Sequence, residues 1–191
     1  MIGELMPQIG VLVSNVRSSS SDPYTAPQEG DAWASEAVRL GRVGTQRLLA
    51  VETGSPPPEV QEALQLAPGK QVVSRRRLIL ANDQPVEIAI SYYPASIAAG
   101  TPLAEMKKIK GGAVRVLAER GYPLEESIDF VTAERPTAED MDLLDTQSDQ
   151  PILVVRRISG PTGGTPSEYA ENRMAADRVP PLEYRTRTSA Q

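Results

Sequence analysis

One arrangement of elements occurs twice in this chain, and it limits the fold more than any other feature. The helix-like PPEVQEALQL, a loop, the strand VVSRRRLI, a turn and PVEIAISYY form the first copy. The helix-like PTAEDMDLLD, a loop, the strand PILVVRRIS, a turn and PSEYAENRM form the second. At an offset of 80 residues Leu64 meets Leu144, and Arg76–Arg77 meet Arg156–Arg157. One extra residue in the second turn then brings Pro85 onto Pro166 and Glu87 onto Glu168. Each hairpin has one apolar face, so two joined edge to edge make a single antiparallel sheet with helices over it. The expected class is therefore α+β.

The rest of the chain is cut short by 17 prolines and 14 glycines. Residues 1–16 suit a short strand or helix, and RSSSSDPYTAPQEGD reads as a polar loop. Ala32–Leu40 suits one or two helical turns, with Asp31 as cap and Gly41 as stop. TQRLLAVE follows as a strand, and PPPEVQ places proline in a first helical turn, where its missing N–H costs nothing. GGAVRVLAERG predicts a helix with Val114, Leu117 and Ala118 inward and Gly121 closing it. A strand is expected over Glu126–Glu134, and Thr137 with Asp140 has the spacing of a capping box. From Val179 the tail is polar and broken by proline.

The hairpin RRRLILANDQPVEIAISYYP carries the candidate chemistry. Alternation puts Arg75, Arg77 and Ile79 on one face, and Glu87, Ala89 and Ser91 on one face of the return strand. A three-residue loop, Ala81-Asn82-Asp83, would pair Leu80 with Gln84 and set Arg77 across from Glu87. A two-residue Asn82-Asp83 loop would send them to opposite faces. The first is favoured because it gives the charges a common face. If the group only decorates a solvated face, a cross-strand pair there contributes about 0.2–1 kcal/mol. If it lines a pocket, the arginine fork clamps phosphate or carboxylate, and Glu87 and Glu168 accept from hydroxyls or amines.

The chain has no cysteine and no histidine. Disulfides, thiolate nucleophiles, common zinc or copper sites and the usual base of triad hydrolases are thereby excluded. A net charge of −5 gives no support to DNA binding by this chain alone. The N-terminal stretch lacks a basic leader region, and no run of about 18 apolar residues suggests a membrane span. A cytoplasmic location is expected.

The segments RRRLILANDQPVEIAISYYP, KIKGGAVRVLAERGYPLE, DQPILVVRRIS and GGTPSEYAENRMAADR together resemble the UTRA domain. This is the effector-binding module of GntR-type transcription regulators of the HutC subfamily. The resemblance runs from about Asp31 to Arg178 and implies a chorismate-lyase-like antiparallel sheet flanked by helices, without catalysis, metal or cofactor. It implies ligand contacts at Arg75 and Arg77, Glu87 and Glu168. The serine that leads the family's central helix falls at Gly111–Gly112, and the aromatic of its last strand falls near Met174. Both departures remove a hydroxyl, which makes a sugar phosphate less expected and a less polar ligand more so. Backbone N–H groups at the helix start remain able to meet an anion.

A small-molecule effector and a homodimer are the partners this implies. Residues 1–30 are read as an extension and linker, 31–178 as the domain and 179–191 as a tail. About thirty residues, with Arg17 their one basic residue, cannot build a winged helix-turn-helix. DNA contact would then come only through a missing or separate domain. The rival readings are a lyase-type enzyme on the same fold and a ligand-free dimerisation module.

Overall fold

The structure, a computed structural model, describes residues 16–18, 33, 37, 38 and 40–186; for 16–18 and 184–186 it describes the backbone only. The elements are β1 (Val16–Ser18), β2 (Gly44–Gly54), α1 (Pro58–Ala63), β3 (Val72–Ala81), β4 (Gln84–Pro94) and α2 (Ala95–Ala98). A 3₁₀ turn (Pro102–Ala104) leads to α3 (Gly112–Glu119), followed by β5 (Glu126–Glu134), α4 (Ala138–Leu144), β6 (Ile152–Gly160), β7 (Glu168–Ala175) and β8 (Tyr184–Thr186). The strand or helix expected over 1–16 and most of the helix expected over 32–40 lie outside the described residues, although Trp33, Ala37 and Val38 are helical.

Six strands form one antiparallel sheet in the order β2-β3-β4-β7-β6-β5. The two hairpins meet through β4 and β7, and each is flanked by the strand that precedes its helix. The repeating unit is therefore strand–helix–strand–strand, one strand longer than the sequence comparison suggested. A separate two-stranded ribbon pairs β1 with β8, so Arg17–Ser18 and Tyr184–Thr186 are strand and not loop or tail as expected.

Both repeat helices cover the same face. Val60 of α1 and Leu64 at its C-cap pack with Val72 and Tyr169, while Leu144 at the end of α4 packs with Leu78, Ile88, Ile152 and Val154. Leu64 and Leu144, the matched pair, are both 0% exposed. Truncating either to alanine costs about 2–5 kcal/mol. The capping box at α4 forms: Thr137 Oγ1 accepts from Asp140 N (3.1 Å), and Asp140 Oδ2 accepts from Thr137 N (2.8 Å).

Two further clusters cover the opposite face. At one end Val73 and Tyr93 pack under Ile97, Ala98, Leu103, Val116 and Leu117. Val116 takes the inward place expected of Ala118, while Ala113 and Val114 are partly buried against the cluster. At the hairpin-turn end Trp33 and Ala37 pack on Ile79, Ala81, Val86 and Ala89. Trp33 Nε1 donates to Leu80 O at 2.9 Å. Gly44 permits this approach, since a Cβ there would stand 2.7 Å from Ala37 Cβ and 2.8 Å from Trp33 Nε1. Gly44→Ala is expected to cost about 1–3 kcal/mol and to red-shift the fluorescence of Trp33, the chain's single tryptophan. Unchanged emission and stability would show that the contact does not hold Trp33.

Candidate functional site

The β3–β4 connection decides where the charges go. Ala81 pairs with Gln84, so the loop is the two-residue Asn82-Asp83, not the three-residue loop favoured from the sequence. Asn82 (φ 50°) and Asp83 (φ 63°) both adopt left-handed backbone, as the tight hairpin turn that matches strand twist requires. Alone, that turn would put Glu87 on the face away from Arg77. A bulge follows, however: Leu80 pairs with Pro85 and Ile79 with Glu87, leaving Val86 as the extra residue. The bulge reverses the alternation and returns Glu87 to the face of Arg77. The expected common face thus exists by a different route. Arg77 stands opposite Ala89, not Glu87.

The register across β4, β7 and β6 describes the floor of this face. Ala89 pairs with Asn172 and Ser91 with Ala170, a central row of small or short side chains. Arg77 of β3 flanks this row on one side and Arg157 of β6, opposite Ala170, on the other. Glu87 lies opposite Met174, whereas Glu168 accepts from Tyr93 Oη at 2.7 Å, six residues further along β4. At about 3.4 Å per residue the two glutamates are roughly 20 Å apart along the strands. They share a face but stand at opposite ends of it. The 80–81 residue offset relates Glu87 to Glu168, Ser91 to Asn172 and Tyr93 to Met174, so the hydroxyl missing at Met174 is present in the other half at Tyr93.

Arg75, one of the ligand contacts the resemblance implies, is bound into the fold. It is 5% exposed. Its Nη1 donates to the carbonyls of Pro102 (3.3 Å), Leu103 (2.8 Å) and Glu105 (2.8 Å), and its Nη2 to that of Lys107 (2.8 Å). The guanidinium therefore ties the 102–107 loop to the sheet. Burial pushes it below its ordinary pKa, and neighbouring Arg77 adds to that.

Arg76, on the helix-covered face, also has buried N–H groups without a hydrogen-bond partner, but on the face of Glu87 and Glu168 the arginine with capacity left is Arg77. Its Nη2 donates to Ser91 Oγ at 3.2 Å, and its Nε is buried without a hydrogen-bond partner. A buried unmet donor on a cation is costly, so a ligand that accepts from it gains affinity. Beside it, Tyr93 is 1% exposed, and burial and then Glu168 hold its hydroxyl in the protonated form. Gly111 (φ 80°) and Gly112 (φ 74°) lie between Ile109 and Ala113, both packed against the cluster that contains Tyr93. Met174 is buried. Sequence reasoning missed Tyr93, Ser91 and Asn172, which read there as ordinary strand residues; the duplication, which aligns Ser91 with Asn172, was the available signal.

The remaining arginines of the repeat are paired. Arg76 meets Glu139 of α4 on the helix-covered face, Arg156 meets Glu134 (3.0 Å) and Glu171 (2.8 Å), and Arg157 meets Asp129. A separate cleft of about 630 Å³ at the strand ends is lined by Leu66, Lys70, Pro94, Ile97, Tyr122 and Pro166 among others, and does not include Arg77. Among the described residues there is no cluster of three or more potential metal ligands, and no helix is long and apolar enough to cross a membrane.

A family profile described as the UTRA domain matches residues 39–180. This chain belongs to the UTRA family. It is 30% identical over 114 residues to an HTH-type transcriptional regulator of Streptomyces coelicolor, covering 58% of this chain and 42% of that protein. It is 28% identical over 123 residues to another from Rhizobium meliloti, covering 63% and 49%. The matches thus span less than half the length of these relatives. Among solved structures the UTRA fold here is similar to the effector domain of PhnF from Mycobacterium smegmatis (TM-score 0.67, 18% identity, 79% of this chain and 91% of that one). It is also similar to the ligand-binding domain of a GntR-family regulator from Bordetella bronchiseptica (0.64, 22%, 92% and 96%). A third is the C-terminal domain of the histidine utilization repressor from Pseudomonas syringae (0.64, 21%, 77% and 99%). At these identities the likeness is one of fold: this is the architecture of effector domains in GntR-type regulators.

Proposed function

We propose that this UTRA domain senses a small anionic or polar metabolite and so modulates DNA binding by a linked or partner winged helix-turn-helix, as in a HutC-type regulator. The observation that carries the reading is the buried Nε of Arg77, without a partner, on a floor of small side chains. Nearby, Tyr93 and Glu168 supply a polar pair for the rest of the ligand. The constellation suits binding rather than turnover. Tyr93, held protonated, is a donor and not a base, and the carboxylates with displaced pKa values, Glu134 and Asp140, are held low by arginines on the other face. The domain boundaries 31–178, a homodimer and a cytoplasmic location belong to the same proposal.

A thermal-shift screen of sugar phosphates, aromatic acids and amino-acid metabolites tests it. A ligand at a hundred times its Kd stabilises the folded form by about 2.7 kcal/mol. For a chain of this size that raises Tm by roughly 5–10 °C. Arg77→Ala is expected to remove the shift while leaving the melting of the free protein within a few degrees. A hit whose shift survives Arg77→Ala would place the site elsewhere, the cleft beside Lys70 being the next place to look.

A further inference from the structure

The duplication supplies an internal copy of the proposed ligand contact. Arg77 lies between Leu48 of β2 and Ala89 of β4. Its counterpart Arg157 lies between Asp129 of β5 and Ala170 of β7. The repeat offset carries Arg77 to Arg157 and, past the extra turn residue, Ala89 to Ala170, while the strand register sets Leu48 opposite Arg77 as it sets Asp129 opposite Arg157. At Arg157 the carboxylate opposite is taken side-on: Nε donates to Asp129 Oδ1 at 2.6 Å and Nη2 to Oδ2 at 2.8 Å. At Arg77 the residue opposite is an apolar leucine. The same Nε there is buried and unmet, and Nη2 reaches only the Ser91 hydroxyl, 3.2 Å away.

We propose that Arg77 receives the carboxylate of a monoanionic effector on its Nε–Nη2 edge, as Arg157 receives Asp129, and that Leu48 is the residue that keeps this edge free. The inference rests on the effector-binding reading above and narrows its ligand class. Charge on the floor favours one negative charge over two. Arg75 and Arg77 are already matched in number by Glu87 and Glu168, while Arg157 is matched by Asp129. The lysines of the covering loop, Lys107, Lys108 and Lys110, are exposed, and Lys107 pairs with Glu105. Arg75 has spent its donors on the loop carbonyls. A dianionic phosphate would therefore have one uncommitted fork to meet two charges. A carboxylate meets that fork with planar, bidentate geometry.

The test follows the Nε–H signals of the arginines by NMR in the full chain during titration with benzoate and, separately, with inorganic phosphate. Benzoate is expected to move the Arg77 signal at a concentration about tenfold or more below that needed for phosphate, the value of one charge-assisted pair. Leu48→Asp should abolish that response and give the Arg77 Nε–H the slow exchange of Arg157, because the chain now fills its own site. Leu48→Asn, of similar size but uncharged, should retain it. Asp129→Leu should create a second titrating arginine at position 157. Tighter binding of phosphate than of benzoate, no response of Arg77 to either anion, or an unchanged response in Leu48→Asp would each overturn the proposal. A screening hit that lacks a carboxylate yet depends on Arg77 would overturn it too, while leaving the effector-binding function standing. Hits that all bind independently of Arg77 would overturn it as well and move the effector site elsewhere, whereas a screen without any hit would remove the effector-binding function itself.

Discussion

Asp140→Ala is expected to destabilise the fold by about 3–5 kcal/mol, the loss typical of breaking one side of a buried ion pair. The carboxylate is 1% exposed and joins two structures at once. Its Oδ1 and Oδ2 accept from Arg173 Nε (2.9 Å) and Nη2 (2.8 Å), anchoring α4 to the centre of the sheet. Its Oδ2 also accepts from the Thr137 backbone, completing the cap of α4. Removal leaves Arg173 with Glu134 (3.1 Å) and Glu171 (3.8 Å), so part of its charge stays compensated. Urea unfolding measures the effect, and a loss below about 1 kcal/mol would place the pair in the weak class of surface bridges.

The same carboxylate fixes an acid limit. Burial alone would raise the Asp140 pKa, but hydrogen bonds from Arg173 and Thr137 outweigh it and hold the group below its usual range. Glu134 is held low in the same way by Arg173 and Arg156. Because the folded values are depressed, the stability these groups contribute is complete above the unfolded carboxyl values, about 4. It is lost as pH falls through the folded ones. Wild-type stability should therefore drop below about pH 4, and Asp140→Ala should flatten part of that slope. Parallel acid profiles for the two proteins would contradict this.

Arg75→Met is expected to cost a comparable amount, about 3–5 kcal/mol, although it keeps most of the stem's volume. Four carbonyls of the 102–107 loop lose their shared donor. That loop leads to Ile109, Ala113 and α3, which cover Val73 and Tyr93, so the loss falls on the lid of the proposed site. Hydrogen exchange should accelerate over residues 102–117 more than in β6 and β7. Ligand-induced stabilisation should shrink as well, even with Arg77 intact. Uniform acceleration across the sheet would mean that Arg75 acts on global stability only.

Much of this architecture was legible from local chemistry. β5 spans Glu126–Glu134 as anticipated, the Thr137–Asp140 box caps α4, and Leu64 with Leu144 marks one buried face. These follow from spacing, capping and apolar periodicity, which a single segment carries within itself. The duplication also disclosed the pairing of the hairpins, because two one-sided surfaces have few ways to be buried together.

The site was legible only in part. Alternation placed Arg75 and Arg77 on one face, but their surroundings depend on groups far away in sequence: the carbonyls of 102–107 around Arg75 and Leu48 opposite Arg77. Glu87 reached the shared face only because a two-residue turn and the bulge at Val86 cancel each other's change of alternation. A one-residue slip reverses every side chain, and local propensity cannot choose among such near-equal registers. The order of the two helix–hairpin units, the cap of α4 and the buried pair Leu64 and Leu144 were thus settled by the sequence itself. Which arginine is spent on the fold and which keeps a buried N–H unpaired was decided by tertiary structure, since a guanidinium is committed by the acceptors packed around it.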